Sequence, residues 1–245
     1  MIKFFRKIRQ QLIVENRFNK YLLYAIGEIV LVVIGILIAL QINNWNVDRI
    51  NNKKEIQILK SFKTDLQSNR IELQRVIQKS NTTKNTSDAI LNYQNTNVKA
   101  LSLLQLDTLI MNAIGFTVYK SYEGTVQDIL GSGTLDIIKN DSIRLAIASW
   151  QANLKDIREW EKLEKVSNKE YLDYLQQRIP IYKMRYKSGI LTEQKKIELF
   201  ADDTFLNQVN ARSRLPGTLN ALYKKELTKI DKLINMVERE LNKKN

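Results

Sequence analysis

The 245-residue chain has no histidine and no cysteine, and only two prolines and eight glycines. Lack of histidine removes the commonest neutral-pH acid-base catalyst and metal ligand. Lack of cysteine means that no disulfide holds the fold, so stability has to come from an apolar core. A region of about 200 residues is large enough to build one. No nucleotide-binding motif occurs either, so an enzyme built on carboxylates, lysine, tyrosine or serine is the minority reading. Past Asn43 there are six glycines and both prolines. With most apolar positions at helical rather than alternating spacing, that scarcity of breakers predicts an almost wholly helical domain.

What the chain does have is one long apolar run. Tyr21 to Ile42, YLLYAIGEIVLVVIGILIALQI, is 22 residues with a single charge, Glu28. About 20 apolar residues at 1.5 Å rise cover a hydrocarbon core of roughly 30 Å, so the run reads as a membrane span. Lys3, Arg6, Lys7, Arg9, Arg17 and Lys20 precede it, against Arg49, Lys53 and Lys54 soon after it. Basic residues are retained on the cytoplasmic side, which places the N-terminus inside and translocates the domain beyond the span. The run is longer than the apolar region of a cleaved signal peptide and no small-x-small site comes after it, so it reads as an uncleaved signal anchor, with cleavage the alternative. Tyr21 and Tyr24 at one end and Trp45 at the other match interfacial aromatic belts. In the tail, Phe5, Ile8 and Leu12 recur at helical spacing among the cations. Lys3, Arg6, Lys7 and Arg9 are therefore candidate contacts to anionic lipid, with a plain topology signal as the competing reading.

Within the span, Glu28, Val32, Gly35 and Ala39 fall at i, i+4, i+7 and i+11. Gly35 and Ala39 form a small-xxx-small pair that lets helices approach closely, and a carboxyl in a span usually faces a partner or cavity. This face is the candidate helix–helix interface; the competing reading has Glu28 reach the membrane surface or take up a proton.

The formal net charge is +13; six of the 39 basic and two of the 26 acidic residues lie in the first 42 positions, which leaves +9 beyond them. Positive charge permits phosphate contacts. Here the bases alternate with acids, as in KKELTKIDK from Lys224 to Lys232, the pattern of a solvated helix face. Nucleic acid is not expected as a partner, and attraction to acidic lipid or envelope polymer stays open.

A first helix is expected to continue out of the membrane from Trp45 to Lys79, with Ile56, Leu59, Phe62, Leu66, Leu73 and Val76 in a seam and Asn69 filling one slot. Such a seam packs on a helix of the same chain or of a second copy. Ser80 to Asp88, SNTTKNTSD, reads as a polar turn, then a short helix to Tyr93. Leu101 to Ala113 is an apolar core helix, too short for a second span. Phe116 to Tyr122, FTVYKSY, is the one plausible extended piece, against a buried loop or helix start. Gly131, Ser132 and Gly133 read as a helix end and turn, since the Lys-Ser or Lys-Thr of a phosphate loop is missing. Asn140 or Asp141 caps a long helix to Arg178, whose apolar register drifts through Trp160, Leu163 and Val166. Its aromatic residues read as core, with a ligand-lining stripe the alternative. Pro180 ends it. Arg178 to Leu191, RIPIYKMRYKSGIL, is irregular, basic and aromatic, and is the first place to look for a contact surface, against a solvated connection. Asp202 and Asp203 lack the spaced oxygens of a calcium loop. A last helix is expected from Thr218, after Pro216 and Gly217, to Leu241. No metal site and no cofactor site is expected.

The block MIKFFRKIRQQLIVENRFNKYLLYAIGEIVLVVIGILIALQINNWN, Met1 to Asn46, resembles the N-terminal signature of an uncharacterised single-span family of flavobacteria and related Bacteroidota. GSGTLDIIKNDSIR, Gly131 to Arg144, is similar to a second motif of that family. The resemblance implies a Gram-negative envelope protein anchored in the inner membrane with its domain in the periplasm, and brings no catalytic residue.

The expected fold class is all-α, a single N-terminal transmembrane helix continuing into an extracytoplasmic antiparallel helical bundle. Its parts are a basic amphipathic cytoplasmic tail (1–20), a transmembrane signal anchor (21–42) and a periplasmic helical domain (43–245). The expected function is a membrane-anchored interaction module, a scaffold or accessory subunit that self-associates or pairs with another membrane protein through the span. The alternative is a ligand-sensing domain signalling through its span to a separate cytoplasmic partner.

Overall fold

A computed structural model describes residues 18–95, 98–184 and 190–244. No strand occurs among these residues, and every long element is an α-helix: α1 Phe18–Asn95, α2 Leu103–Ala113, α3 Gly124–Ser132, α4 Asp141–Ala148, α5 Trp150–Arg178, α6 Ile181–Met184, α7 Glu193–Ala201 and α8 Asp203–Lys244. The chain divides into two compact units, Met1–Glu55 and Ile56–Asn245.

In the first unit the apolar side chains of α1 are uncovered by protein; Leu23 is 76% exposed, Leu31 67% and Ile38 55%. The most apolar window reaches a mean hydropathy of 2.6 with none of it buried. A soluble helix hides such residues in a core, so this helix is long and apolar enough to cross a bilayer.

In the second unit α1 and α8 run antiparallel. Lys63 pairs with Glu238 at 2.9 Å and Arg70 with Asp231 at 3.1 Å, and Asn220 Nδ2 donates to the Ile77 carbonyl at 3.0 Å. Residues 161–164 of α5 meet Tyr223 and Arg212 of α8 in the opposite order, so α5 is also antiparallel to α8. Hence α5 runs parallel to α1, which the edge-to-face contact of Phe62 with Trp150, centroids 6.0 Å apart, also marks. Two parallel helices need a return path between them. The chain supplies it as α2 and then an extended strap, residues 114–122, before turning into α3 and α4.

Two apolar clusters lie along the helices. One joins Leu59, Phe62, Leu66, Leu73 and Val76 of α1 to Ile143, Ile147, Trp150 and Leu154 and to Ile230, Ile234 and Val237. The other gathers Ile90, Leu106 and Ile110 with Tyr171, Leu175, Phe200, Phe205 and Val209. The seam expected of Leu59, Phe62, Leu66, Leu73 and Val76 is thus buried within one chain. Helix starts follow their caps: Ser102 and Gln105 form a capping box for α2, Asn140 accepts from the Ile143 N–H, and Thr192 from that of Lys195. Gly133, at φ +68°, closes α3 in the left-handed region.

Three expected boundaries are corrected. Ser80 to Asp88 is not a turn, because α1 runs through it to Asn95. Its hydroxyls are absorbed inside the fold: Thr83 and Ser87 donate to carbonyls four residues earlier at 3.3 and 2.9 Å, and Ser80 to the Pro216 carbonyl at 2.6 Å. The last helix does not begin after Gly217 but at Asp203, passing through a buried Pro216. Packing on both sides holds the helix where the proline ring removes a donor. The long helix expected from Asp141 is interrupted at Ser149, dividing α4 from α5.

Candidate functional site

Two places carry the chain's unusual chemistry. On α1, steps of 4, 3 and 4 residues set Glu28, Val32, Gly35 and Ala39 within an arc of about 60° on one face, at 100° per residue. Val32 is 54% exposed. A Cβ added to Gly35 would meet no atom within 4 Å, so a substitution there costs this chain no contact of its own. Tyr21 and Tyr24 belong to the same helix; Trp45 is exposed, with the Arg49 guanidinium 5.5 Å from its ring centroid. Lys3, Arg6, Lys7 and Arg9 lie outside the described residues.

In the second unit a polar layer separates the two apolar clusters, and the strap is its centre. The strap N–H groups of Gly115, Thr117 and Tyr119 donate to Asn168 Oδ1, Glu164 Oε2 and Glu161 Oε1 at 2.6, 2.9 and 2.7 Å. Alternate amides thus descend as the acceptors on α5 ascend. Two steps of an extended chain cover about 13 Å. The α5 rise from 161 to 168 is about 10.5 Å. Side chains of different reach absorb the difference. Along the other edge Arg75 Nη2 donates to the Val118 carbonyl at 3.4 Å, and Asn69 brackets Tyr122, donating to its carbonyl and accepting from its N–H, both at 2.8 Å. Asn69 Oδ1 also accepts from the Tyr119 hydroxyl at 2.6 Å. An unpaired strand would leave its backbone polar groups without partners, and these side chains supply them.

Arg212 of α8, fully buried, holds the start of the strap: its Nε donates to the Ala113 carbonyl at 3.1 Å and its Nη2 to that of Gly115. Its Nη2 lies 3.8 Å from Glu164 Oε1, an oxygen with no hydrogen bond of its own among the described residues. Burial pushes the Glu164 carboxyl above its ordinary range, while the Thr117 N–H and the Arg212 charge pull it down. Glu161 is raised by burial too, against the hydrogen bonds from Tyr119 and Tyr223. Burial lowers the Arg212 guanidinium and raises the Tyr119 and Tyr223 phenols. The layer's chemical work is to hold an extended backbone with fixed carboxylates.

The stretch from Glu28 to Asp173, which holds the Glu28 to Ala39 face, the strap and its acceptors on α5, matches the sequence profile of DUF6090, a family of unknown function. The match takes in well over half of the chain. The chain belongs to the DUF6090 family. No curated protein and no solved structure matches it.

In this DUF6090 chain the sequence points to the Glu28 to Ala39 face, but not to the layer around the strap. Two signals for it were present: Asn69 in an otherwise apolar seam, and the drift of the α5 register. At that drift the expected apolar positions Leu163 and Val166 are exposed while Glu161, Glu164 and Asn168 turn inward. Asp202, set aside as a calcium corner, accepts from the Tyr174 hydroxyl at 2.7 Å and from the Thr204 N–H at 2.8 Å. At the far end of α5, Met111, Ile114 and Leu172 join Ile179 to Tyr182 around an open pocket of about 580 Å³.

Proposed function

We propose that this DUF6090 chain is a single-span protein of a Gram-negative inner membrane, N-terminus in the cytoplasm and helical domain in the periplasm. It serves as an interaction module, a scaffold or accessory subunit that assembles through the Glu28, Val32, Gly35 and Ala39 face. The observation that carries the reading is that Val32, Gly35 and Ala39 of this face lie exposed on an apolar helix, with small residues where close approach is needed. The basic excess before the span supports the orientation. Crosslinking in intact native membranes, then capture of the chain, tests it: a crosslinked species that weakens in Glu28→Leu and Gly35→Leu while the domain stays folded is the expected result. Unchanged crosslinking in both variants removes the interface.

A second reading, a ligand-sensing domain that signals to a cytoplasmic partner, draws on the pocket beside Ile179 to Tyr182.

A further inference from the structure

The pocket at the end of α5 is lined by Met111, Ile114, Leu172, Gln176 and residues 179–182. Its volume of about 580 Å³ lies within the range of small-molecule sites. The lining decides what fits. A buried peptide backbone demands a partner for each amide and carbonyl, and here, among the described residues, the Gln176 amide and the Tyr182 hydroxyl are the only polar side-chain groups lining the pocket. An aliphatic chain demands none. Apolar surface is also open where a soluble protein would hide it: Tyr182 is 69% exposed and Ile114, Leu172 and Ile181 are half-buried.

Charge beside the lining residue Tyr182 selects the head group. Lys183 Nζ lies 5.8 Å from the centroid of the Tyr182 ring, and no ion pair among the described residues takes it up. Its neighbours differ: Arg178 stacks 3.9 Å from the Tyr174 centroid and reaches Asp202 at 3.5 Å, and Lys169 pairs with Asp173. One cation without a carboxylate among the described residues, beside an apolar pocket, suits one negative charge. A second copy of this basic chain would bring cation to cation there. We infer that the pocket binds a single long-chain carboxylate, its alkyl chain among Met111, Leu172 and Ile179 and its head at Lys183.

The test uses the full chain in phosphatidylcholine nanodiscs with a diazirine-bearing palmitate, irradiated, digested and mapped by mass spectrometry. The expected adducts fall on peptides holding Leu172 to Tyr182 or Met111 to Ile114. They are lost with excess unlabelled palmitate and in Lys183→Glu, a surface change that leaves circular dichroism and melting unaltered. Adducts confined to Tyr21 to Ile42, labelling that unlabelled palmitate does not displace, or full labelling of Lys183→Glu would each overturn the assignment. So would equal labelling of the pocket by a phosphatidylcholine carrying the diazirine in its own chain, which would make membrane lipid the occupant. None of these readouts depends on assembly through the span.

Discussion

Arg212→Met is the most demanding test of the polar layer. Methionine fills much of the arginine's volume but removes the charge facing Glu164 and the donors to the Ala113 and Gly115 carbonyls. Both partners of the ion pair are fully buried. Removing one side of a buried pair typically costs about 3–5 kcal/mol, because the other charge is left without compensation. At roughly 2–4 °C per kcal/mol for a domain of this size, the melting temperature should fall by about 6–20 °C. The double variant Arg212→Met with Glu164→Met should lose less than the single one. It no longer buries a lone carboxylate; the Ala113 and Gly115 carbonyls lose their donors in both variants, and what the double variant adds is the Thr117 N–H, at about 1–3 kcal/mol for an orphaned buried donor. The sign of the pH response is set by burial. A carboxyl whose folded pKa lies above its ordinary 4.5 gives the native state full benefit below that value, and stability is lost as pH rises through the folded pKa. Without Arg212 that folded pKa rises further, so Arg212→Met should weaken more steeply with rising pH than the parent, and adding Glu164→Gln should abolish the excess. The assay is thermal unfolding of the full chain in detergent micelles by far-ultraviolet circular dichroism across a pH series. A single variant within about 1 kcal/mol of the parent at neutral pH would refute the view that the pair holds the strap.

Phe62→Ala, which empties a fully buried position against Trp150, should cost about 3–5 kcal/mol in the same melts. Gly133→Ala should cost about 1–2 kcal/mol by strain alone, since the site is left-handed and a Cβ there meets no atom; a neutral result would place the α3 end in another conformation. Asn140→Ala loses the α4 cap and a 2.9 Å bond to Glu240, for about 0.5–2 kcal/mol, and Asn140→Asp should retain the cap while losing that bond.

Reading this chain from its residues works where one physical signal acts alone. The long apolar helix, the α1 seam and the cap at Asn140 each arise from local pattern. It fails where distant partners overrule local chemistry. Ser80, Thr83 and Ser87 carry the composition of a turn, yet they lie inside because α8 packs beside them and their hydroxyls find carbonyls. Pro216 and Gly217 carry a break signal that packing overrides. The layer at Glu161, Glu164 and Arg212 was illegible for a related reason: each charge looks solvated until the strap and its partner helices are set around it. Phe116 to Tyr122 offered an extended piece only beside a buried loop or a helix start, and nothing local says that its hydrogen-bond partners would be side chains.

That arrangement makes the strap intolerant of changes in length. Adding or deleting one residue between Gly115 and Tyr119 reverses the parity of the chain, turning Thr117 or Tyr119 outward and bringing Phe116 or Val118 against the carboxylates. An indel of two restores parity but moves an amide about 7 Å from its acceptor, further than a glutamate can follow. Substitution at the outward positions is cheap and length variation is not, so natural relatives should differ in the letters of this segment while keeping its count.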